Sequence, residues 1–209
     1  MSNNWLEATL YGIVDLGYAP DDRLPEVTRA LIAGGAGIIQ LRAKGRTKDE
    51  ILAWAKELLP ICREADVPFI VNDFIDIAVA VDADGVHLGQ DDGPLSAARE
   101  QFNEPKIVGR STHSPEQAQA ALAEGADYIG FGPLFPTPTK KGRPGIGLEN
   151  IVGVQETIGS KIPVFCIGGI RRDNLPEVKA AGAQRVVVVS DLLLAEDIAT
   201  AGQAIISHL

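Results

Sequence analysis

The sequence predicts a parallel (β/α)8 barrel, formed as a single domain over residues 1–209. Three observations predict it. Eight short apolar or β-branched runs recur along the chain, segments of helical spacing separate them, and a weak internal repeat groups the units in pairs. Runs too apolar to alternate cleanly suit strands covered on both faces, as parallel strands flanked by helices are. With 45% hydrophobic and 22% charged residues among 209, the chain can close one continuous core and lacks the polar excess of disordered proteins.

The candidate strands are, in order, TLYGIVD, GIIQLRA, PFIVND, GVHLG, KIVGRST, YIGFGPL, PVFCIGG and RVVVVS. After the second, KDEILAWAKELLPICREA places apolar residues at steps of three and four, which gives a helix one oily face; SPEQAQAALAEGA does the same after the fifth. LIAGGAGIIQLR, AVAVDADGVHLG, ALAEGADYIGFG and VKAAGAQRVVVV each pass from a small-residue helix ending into a strand, around Ala36, Ala83, Ala126 and Ala183. Each interval accommodates two strand–helix units, so the period counts eight strands. A flavodoxin-like open sheet is the alternative topology and explains that period less well. The longest interval contains FPTPTKKGRPGIGLEN, whose composition is that of a loop able to act as a lid.

Acidic residues outnumber basic ones 28 to 19, for a net charge of -9. Such a surface repels polyanions, which argues against nucleic acid as a partner and demands that any phosphorylated ligand meet locally gathered cations. Cys62 and Cys166 form no C-x-x-C pair, so neither a zinc site nor a disulfide framework is expected, and a reducing cytoplasm fits. The start MSNNWLEATLYGIVD lacks a basic-then-apolar leader, and no later run approaches a membrane span of roughly 20 apolar residues. Homo-oligomerisation is left open.

In a β/α barrel the loops after the strands form the active face, so polar residues at strand ends carry a functional expectation. Strand two ends in Gln40, Arg42 and Lys44, whose alternate spacing directs three side chains to one side as a cationic comb. Strand three ends in Asn72 and Asp73, and strand four is followed by Gly89, Gln90, Asp91 and Asp92. One or two carboxylates plus substrate phosphates are what Mg2+ prefers; Asp73 and Asp92 are the expected ligands, while Asp91 better suits a helix N-cap. Strand five ends at Ser111, and the loop after strand six offers Thr137, Thr139 and Lys140, hydroxyls and a cation suited to phosphate. Gly168, Gly169, Val189 and Ser190, after strands seven and eight, can present backbone amides to a monophosphate, with tight packing as the simpler reason for Gly168. His87 lies within an apolar strand and reads as a hydrogen-bonded core residue. His113 has no evident acidic partner. Cys166 sits among apolar neighbours that keep a thiol protonated. Trp5 and Trp54 read as packing.

Taken in order, QLRAK, VND, GVHLGQDD, GRSTH, GADYIGFGPLFPTPTKKG, IGGI and VVVS resemble the thiamine-phosphate synthase family over strands two to eight. The resemblance implies a (β/α)8 barrel that joins a hydroxymethylpyrimidine diphosphate to a thiazole phosphate with Mg2+, giving thiamine phosphate and pyrophosphate. By position it implies that Gln40, Leu41, Arg42, Ala43, Lys44, Asn72, Ser111 and Lys140 hold the pyrimidine diphosphate. Of these, Arg42, Lys44, Lys140 and Ser111 are the expected catalytic groups. By the same resemblance Asp73 and Asp92 would bind Mg2+, and Thr137, Pro138, Thr139, Gly169, Val189 and Ser190 would contact the thiazole phosphate. Two departures stand out: Ala43 replaces an acid of the family motif, and VVVVSDL replaces a VSxIS-like run. Neither removes a cation or a metal ligand. A thiazole tautomerase of similar fold should need no diphosphate and metal site, so the retained QLRAK, Asp73, Asp92 and TPTK favour the transferase; a noncatalytic phosphate-binding barrel is the more distant alternative, which turnover distinguishes.

Overall fold

A computed structural model describes residues 3–137 and 144–209. Its strands are β1 (Leu10–Asp15), β2 (Ile39–Arg42), β3 (Phe69–Asn72), β4 (Gly85–Leu88), β5 (Ile107–Thr112), β6 (Tyr128–Phe131), β7 (Val164–Ile167) and β8 (Val186–Val187). All pair in parallel with their sequence neighbours, and β8 returns to β1, so the sheet closes into a barrel. Closure removes the flavodoxin-like alternative, which leaves two free edges. The eighth strand is shorter than RVVVVS suggested, because the chain turns at Val189 into a short helix at Ser190.

Helices α1 (Leu24–Ala33), α2 (Lys48–Glu64), α3 (Ile75–Val81), α4 (Leu95–Arg99), α5 (Pro115–Ala123), α6 (Ile151–Val154), α7 (Leu175–Ala180), α8 (Ser190–Leu193) and α9 (Ile198–Ser207) cover the outside. The start of α2 shows why its sequence folds there. Thr47 Oγ1 accepts from the Glu50 amide and Glu50 Oε2 accepts from the Thr47 amide, so a reciprocal cap satisfies two otherwise unpaired donors. Buried Ile51, Ala55, Leu58, Leu59 and Cys62 then form the face turned to the barrel. Among the described residues, no helix is long and apolar enough to cross a membrane.

Alternate strand residues build two cores. Leu10, Val14, Leu41, Val71, Val86 and Val108 face outward against the helices, whereas Tyr11, Ile13, Ile70, Ile107, Tyr128 and Phe165 fill the barrel with Trp5 packed against them. The large Tyr128 ring fits because Gly109, its register partner, has no side chain. A Cβ there would lie 2.1 Å from Tyr128 Cζ. Small residues on β5 thus make the interior space that the inward residues of β4 and β6 fill.

Candidate active site

The inward stripes of the strands end in a cavity of about 870 Å3, mouth included, at the carboxyl end of the barrel. That size suits small-molecule sites. Its floor is polar. Gln40 Nε2 donates to Tyr11 Oη at 2.9 Å, the Tyr11 and Tyr128 hydroxyls lie 2.8 Å apart, Tyr128 Oη meets His87 Nδ1 at 3.0 Å, and His87 Nε2 meets Ser111 Oγ at 2.9 Å. Burial is the main cause that pushes both phenols above their usual range, so both remain hydroxyls. His87 is therefore the hydrogen-bonded residue its position suggested, and it also lines the cavity.

One wall comes from the first three strands. The register sets Asp15 beside Arg42, and Arg42 Nη1 donates to Asp15 Oδ2 at 2.8 Å. Asp15 is 1% exposed and also accepts from the Gly17 amide at 2.9 Å. Arg42 and Gln40 are thus held against barrel partners rather than standing as free teeth of a comb. The comb breaks at its third member: β2 ends at Arg42, alternation stops there, and Lys44 swings out to ion-pair with Asp73. Leu41, on the outward face of β2, and Ala43, just past its end, have buried side chains packed among the helix-facing residues. Neither is among the residues lining the cavity. Asn72 and Ser111 line the cavity with Arg42.

Beside this wall, Asp73 follows β3 with φ of 66°, in the left-handed region that a non-glycine residue seldom adopts. Its amide donates to the His87 carbonyl at 2.9 Å, which anchors the turn to β4. Its carboxyl touches that of Asp92. Burial, the largest cause, raises the Asp73 proton affinity, Lys44 opposes it, and Asp92 raises it again, leaving the group above the usual carboxylate range. Asp92 also accepts from the Gly89 amide at 2.6 Å. Buried Arg110 steadies this loop from behind by donating to the carbonyls of Gly89 at 2.6 Å and Gly93 at 2.8 Å. Asp91 caps no helix, since α4 starts after Pro94 without a side-chain cap.

A second wall, after β7 and β8, is built from Gly168, Gly169, Val189 and Ser190, all lining the cavity. Gly168 and Gly169 have φ of 101° and 66°, and a Cβ on Gly168 would stand 2.4 Å from Pro133 Cα, so tight packing does require glycine there. Asn174 Nδ2 donates to the Gly169 carbonyl at 3.0 Å, and Arg172 Nε donates to Asp191 Oδ2 at 2.8 Å, tying the seventh and eighth loops together. Partial burial opposes ionisation of Asp191, but Arg172 outweighs it and holds that carboxyl below its usual range. His113 bonds the Gly132 carbonyl at the cavity edge. Thr137 lines the same cavity, while Pro138, Thr139 and Lys140 lie outside the described residues.

Cys62 and Cys166 are buried and unpaired with each other, and burial pushes both thiols up to about 12, with Asp84 adding to the rise at Cys62. Neither is a nucleophile near neutrality. Trp5 packs edge-on to Tyr128, and Trp54 carries Arg46 over its ring at 5.6 Å. Tyr11, Asp15, Tyr128 and Phe165 line the cavity without having been marked by any strand-end motif. Of these, Asp15 alone had a legible signal, being the polar last residue of TLYGIVD.

A closed parallel barrel with polar residues and glycine-rich turns converging on its strand ends is a TIM-barrel enzyme. A sequence model for thiamine monophosphate synthase matches residues 10–192. The chain is 43% identical over 201 residues to the thiamine-phosphate synthase of Shouchella clausii, covering 96% of this chain and 95% of that protein. It is 45% identical to that of Synechocystis, covering 84% of this chain but spanning only 50% of the longer relative. The solved thiamine phosphate pyrophosphorylase of Pyrococcus furiosus superposes with a TM-score of 0.86 at 38% identity, over 99% of this chain and 97% of that one. The chain belongs to the thiamine monophosphate synthase family.

Proposed function

We propose that the protein is a Mg2+-dependent cytoplasmic transferase, condensing 4-amino-2-methyl-5-(diphosphooxymethyl)pyrimidine with 4-methyl-5-(2-phosphooxyethyl)thiazole to give thiamine phosphate and pyrophosphate. One observation carries the reading: a single cavity has Gln40, Arg42, Asn72 and Ser111 on one side and Gly169, Val189 and Ser190 on the other. The first set receives the pyrimidine diphosphate, together with Lys44 and Lys140. The second receives the thiazole phosphate, together with Thr137, Pro138 and Thr139.

The donor set fits Mg2+. Asp73 and Asp92 bring two carboxyls into contact, and among the described residues no third His, Cys, Asp or Glu joins them in a metal-holding group. Two oxygen donors suit a cation that completes its shell with water and phosphate oxygens. Bound there, Mg2+ supplies counter-charge to the diphosphate. Arg42, Lys44 and Lys140 provide fixed positive charge for the same group, and preorganised charge of this kind is a large part of most catalysis. As the methylene C–O bond breaks, its electron pair leaves with the diphosphate, and the 4-amino group of the ring stabilises the cation left behind. The thiazole nitrogen forms the new C–N bond with its lone pair. No proton departs, so the step requires no general base, in keeping with buried thiols and a hydrogen-bonded His87.

Incubation with both substrates and Mg2+, followed by mass detection of thiamine phosphate and assay of pyrophosphate, tests the proposal. Thiazole isomerisation without pyrophosphate release would reassign the protein as a tautomerase, and binding of both phosphates without turnover would make it a noncatalytic binder. Asp73→Asn is expected to raise the Mg2+ concentration needed for half-maximal rate at least about tenfold. Lys140→Ala is expected to lower kcat/KM by about a hundredfold with an unchanged unfolding midpoint. An unaltered magnesium titration or rate would remove the corresponding assignment.

A further inference from the structure

The polar floor of the cavity forms one chain: Gln40, Tyr11, Tyr128, His87 and Ser111, with four contacts between 2.8 and 3.0 Å. Its direction follows from counting protons. Each phenol has one proton to donate, a neutral imidazole has one N–H, and the Gln40 amide nitrogen only donates. With Gln40 donating to Tyr11, the Tyr11 proton goes to Tyr128, the Tyr128 proton goes to His87 Nδ1, and the imidazole proton sits on Nε2 facing Ser111. All four contacts are then filled once. Among the hydroxyl and imidazole protons, the one left over is that of Ser111, on a half-buried residue that lines the cavity.

The reverse polarity fails on burial. If His87 Nδ1 donated to Tyr128 and Tyr128 to Tyr11, Tyr11 would accept twice and its own proton would be stranded on a side chain 2% exposed. Leaving a buried donor unmade is costly, whereas a spare hydroxyl proton facing a cavity can meet water or ligand. Packing holds the chain in this arrangement. The Tyr128 ring stacks on the His87 imidazole with centroids 5.5 Å apart and meets the Tyr11 and Phe165 rings at 5.6 and 5.9 Å.

We propose that Tyr128 is a positioning residue for the transfer reaction: its hydroxyl, oriented by Tyr11 and Gln40, holds His87 as the Nε2–H tautomer, so that Ser111 accepts from His87 and turns its own proton toward an acceptor atom of the pyrimidine diphosphate. Tyr128 thus acts through two residues without donating to substrate itself. The kinetic consequence rests on the transferase reading above, but the tautomer does not.

Long-range 1H–15N correlation spectra of the ligand-free full-length protein, labelled at its three histidines, report which ring nitrogen carries the proton. His87→Gln identifies the His87 peaks by their loss. The expected wild-type pattern is protonated Nε2 with unprotonated Nδ1, and Tyr128→Phe should replace it by tautomer exchange while Ser111→Ala leaves it in place. An Nδ1–H or doubly protonated ring in the wild type would overturn the proposal, as would an unchanged pattern in a folded Tyr128→Phe. If that variant does not fold, the wild-type pattern still decides. In the transfer assay, Tyr128→Phe should lower kcat/KM by about tenfold in the wild-type background but by less than about threefold when Ser111 is already alanine. Equal losses in both backgrounds would show that Tyr128 does not work through Ser111. An inactive wild type with the expected tautomer would count against the assigned reaction and leave the polarity of the chain intact.

Discussion

Replacing Asp15 by alanine isolates the least visible member of the site. The change removes the acceptor of the 2.8 Å Arg42 bond and of the 2.9 Å Gly17 amide bond. The Asp15 side chain is 2% exposed and that of Arg42 is 16% exposed. Removing one partner of a buried pair costs about 3–5 kcal/mol, because the other charge loses the counter-charge it was buried against. The lower end applies here, since Arg42 lines an open cavity where water reaches its head group. About 3 kcal/mol in a domain of this size corresponds to a Tm fall of roughly 6–12 °C. Guanidinium and thermal unfolding of Asp15→Ala, Arg42→Met and the double variant give the assay. The double variant should lose at least about 1.5 kcal/mol less than the two single losses added together, because no unpaired charge is left in it. Additivity within about 0.5 kcal/mol, or a Tm fall below about 2 °C for Asp15→Ala, would refute the reasoning. The pair would then be an exposed contact of little consequence, and the aim of Arg42 would depend on something other than Asp15.

Two further outcomes follow from packing and burial. Gly109→Ala should destabilise by about 3 kcal/mol or more, because a Cβ there meets the Tyr128 ring at 2.1 Å; Gly130→Ala, whose Cβ would find its nearest atom, His87 Cε1, at 3.7 Å, should cost under about 1 kcal/mol. Equal unfolding midpoints for the two would contradict the packing described. Burial lifts Cys62 and Cys166 from 9.0 to about 12, so between these values the unfolded chain loses thiol protons that the folded chain keeps. Stability should be insensitive to the thiols below pH 9 and fall above it, by up to about 1.4 kcal/mol per pH unit for each. Denaturation from pH 8 to 11 should therefore show a shallower decline for a Cys62→Ala/Cys166→Ala variant than for wild type, and identical slopes would remove the thiol contribution.

The fold was legible because parallel barrels write themselves locally. Apolar runs such as PFIVND and PVFCIGG are strands covered on both faces, and segments such as Lys48–Glu64 carry helical spacing with a reciprocal cap. The strand-end positions of Asn72, Asp73, Ser111 and Gly169 could be read for the same reason, since strand polarity alone assigns them to one rim. Lys44 shows the limit of that reading. Alternation holds only while the strand continues, and where β2 ends depends on its pairing with β1 and β3.

The linear chain by itself determined the order of the elements, the count of strands and the rim on which polar residues gather, because backbone periodicity and polarity are local properties. Tertiary structure alone decided that Asp15 grips Arg42 and that Asp73 meets Lys44 and Asp92. It also decided that hydroxyls 117 residues apart, on Tyr11 and Tyr128, join across the barrel. Those contacts follow from closing the sheet, which sets register and stagger over the whole ring and so brings together side chains that no local spacing relates.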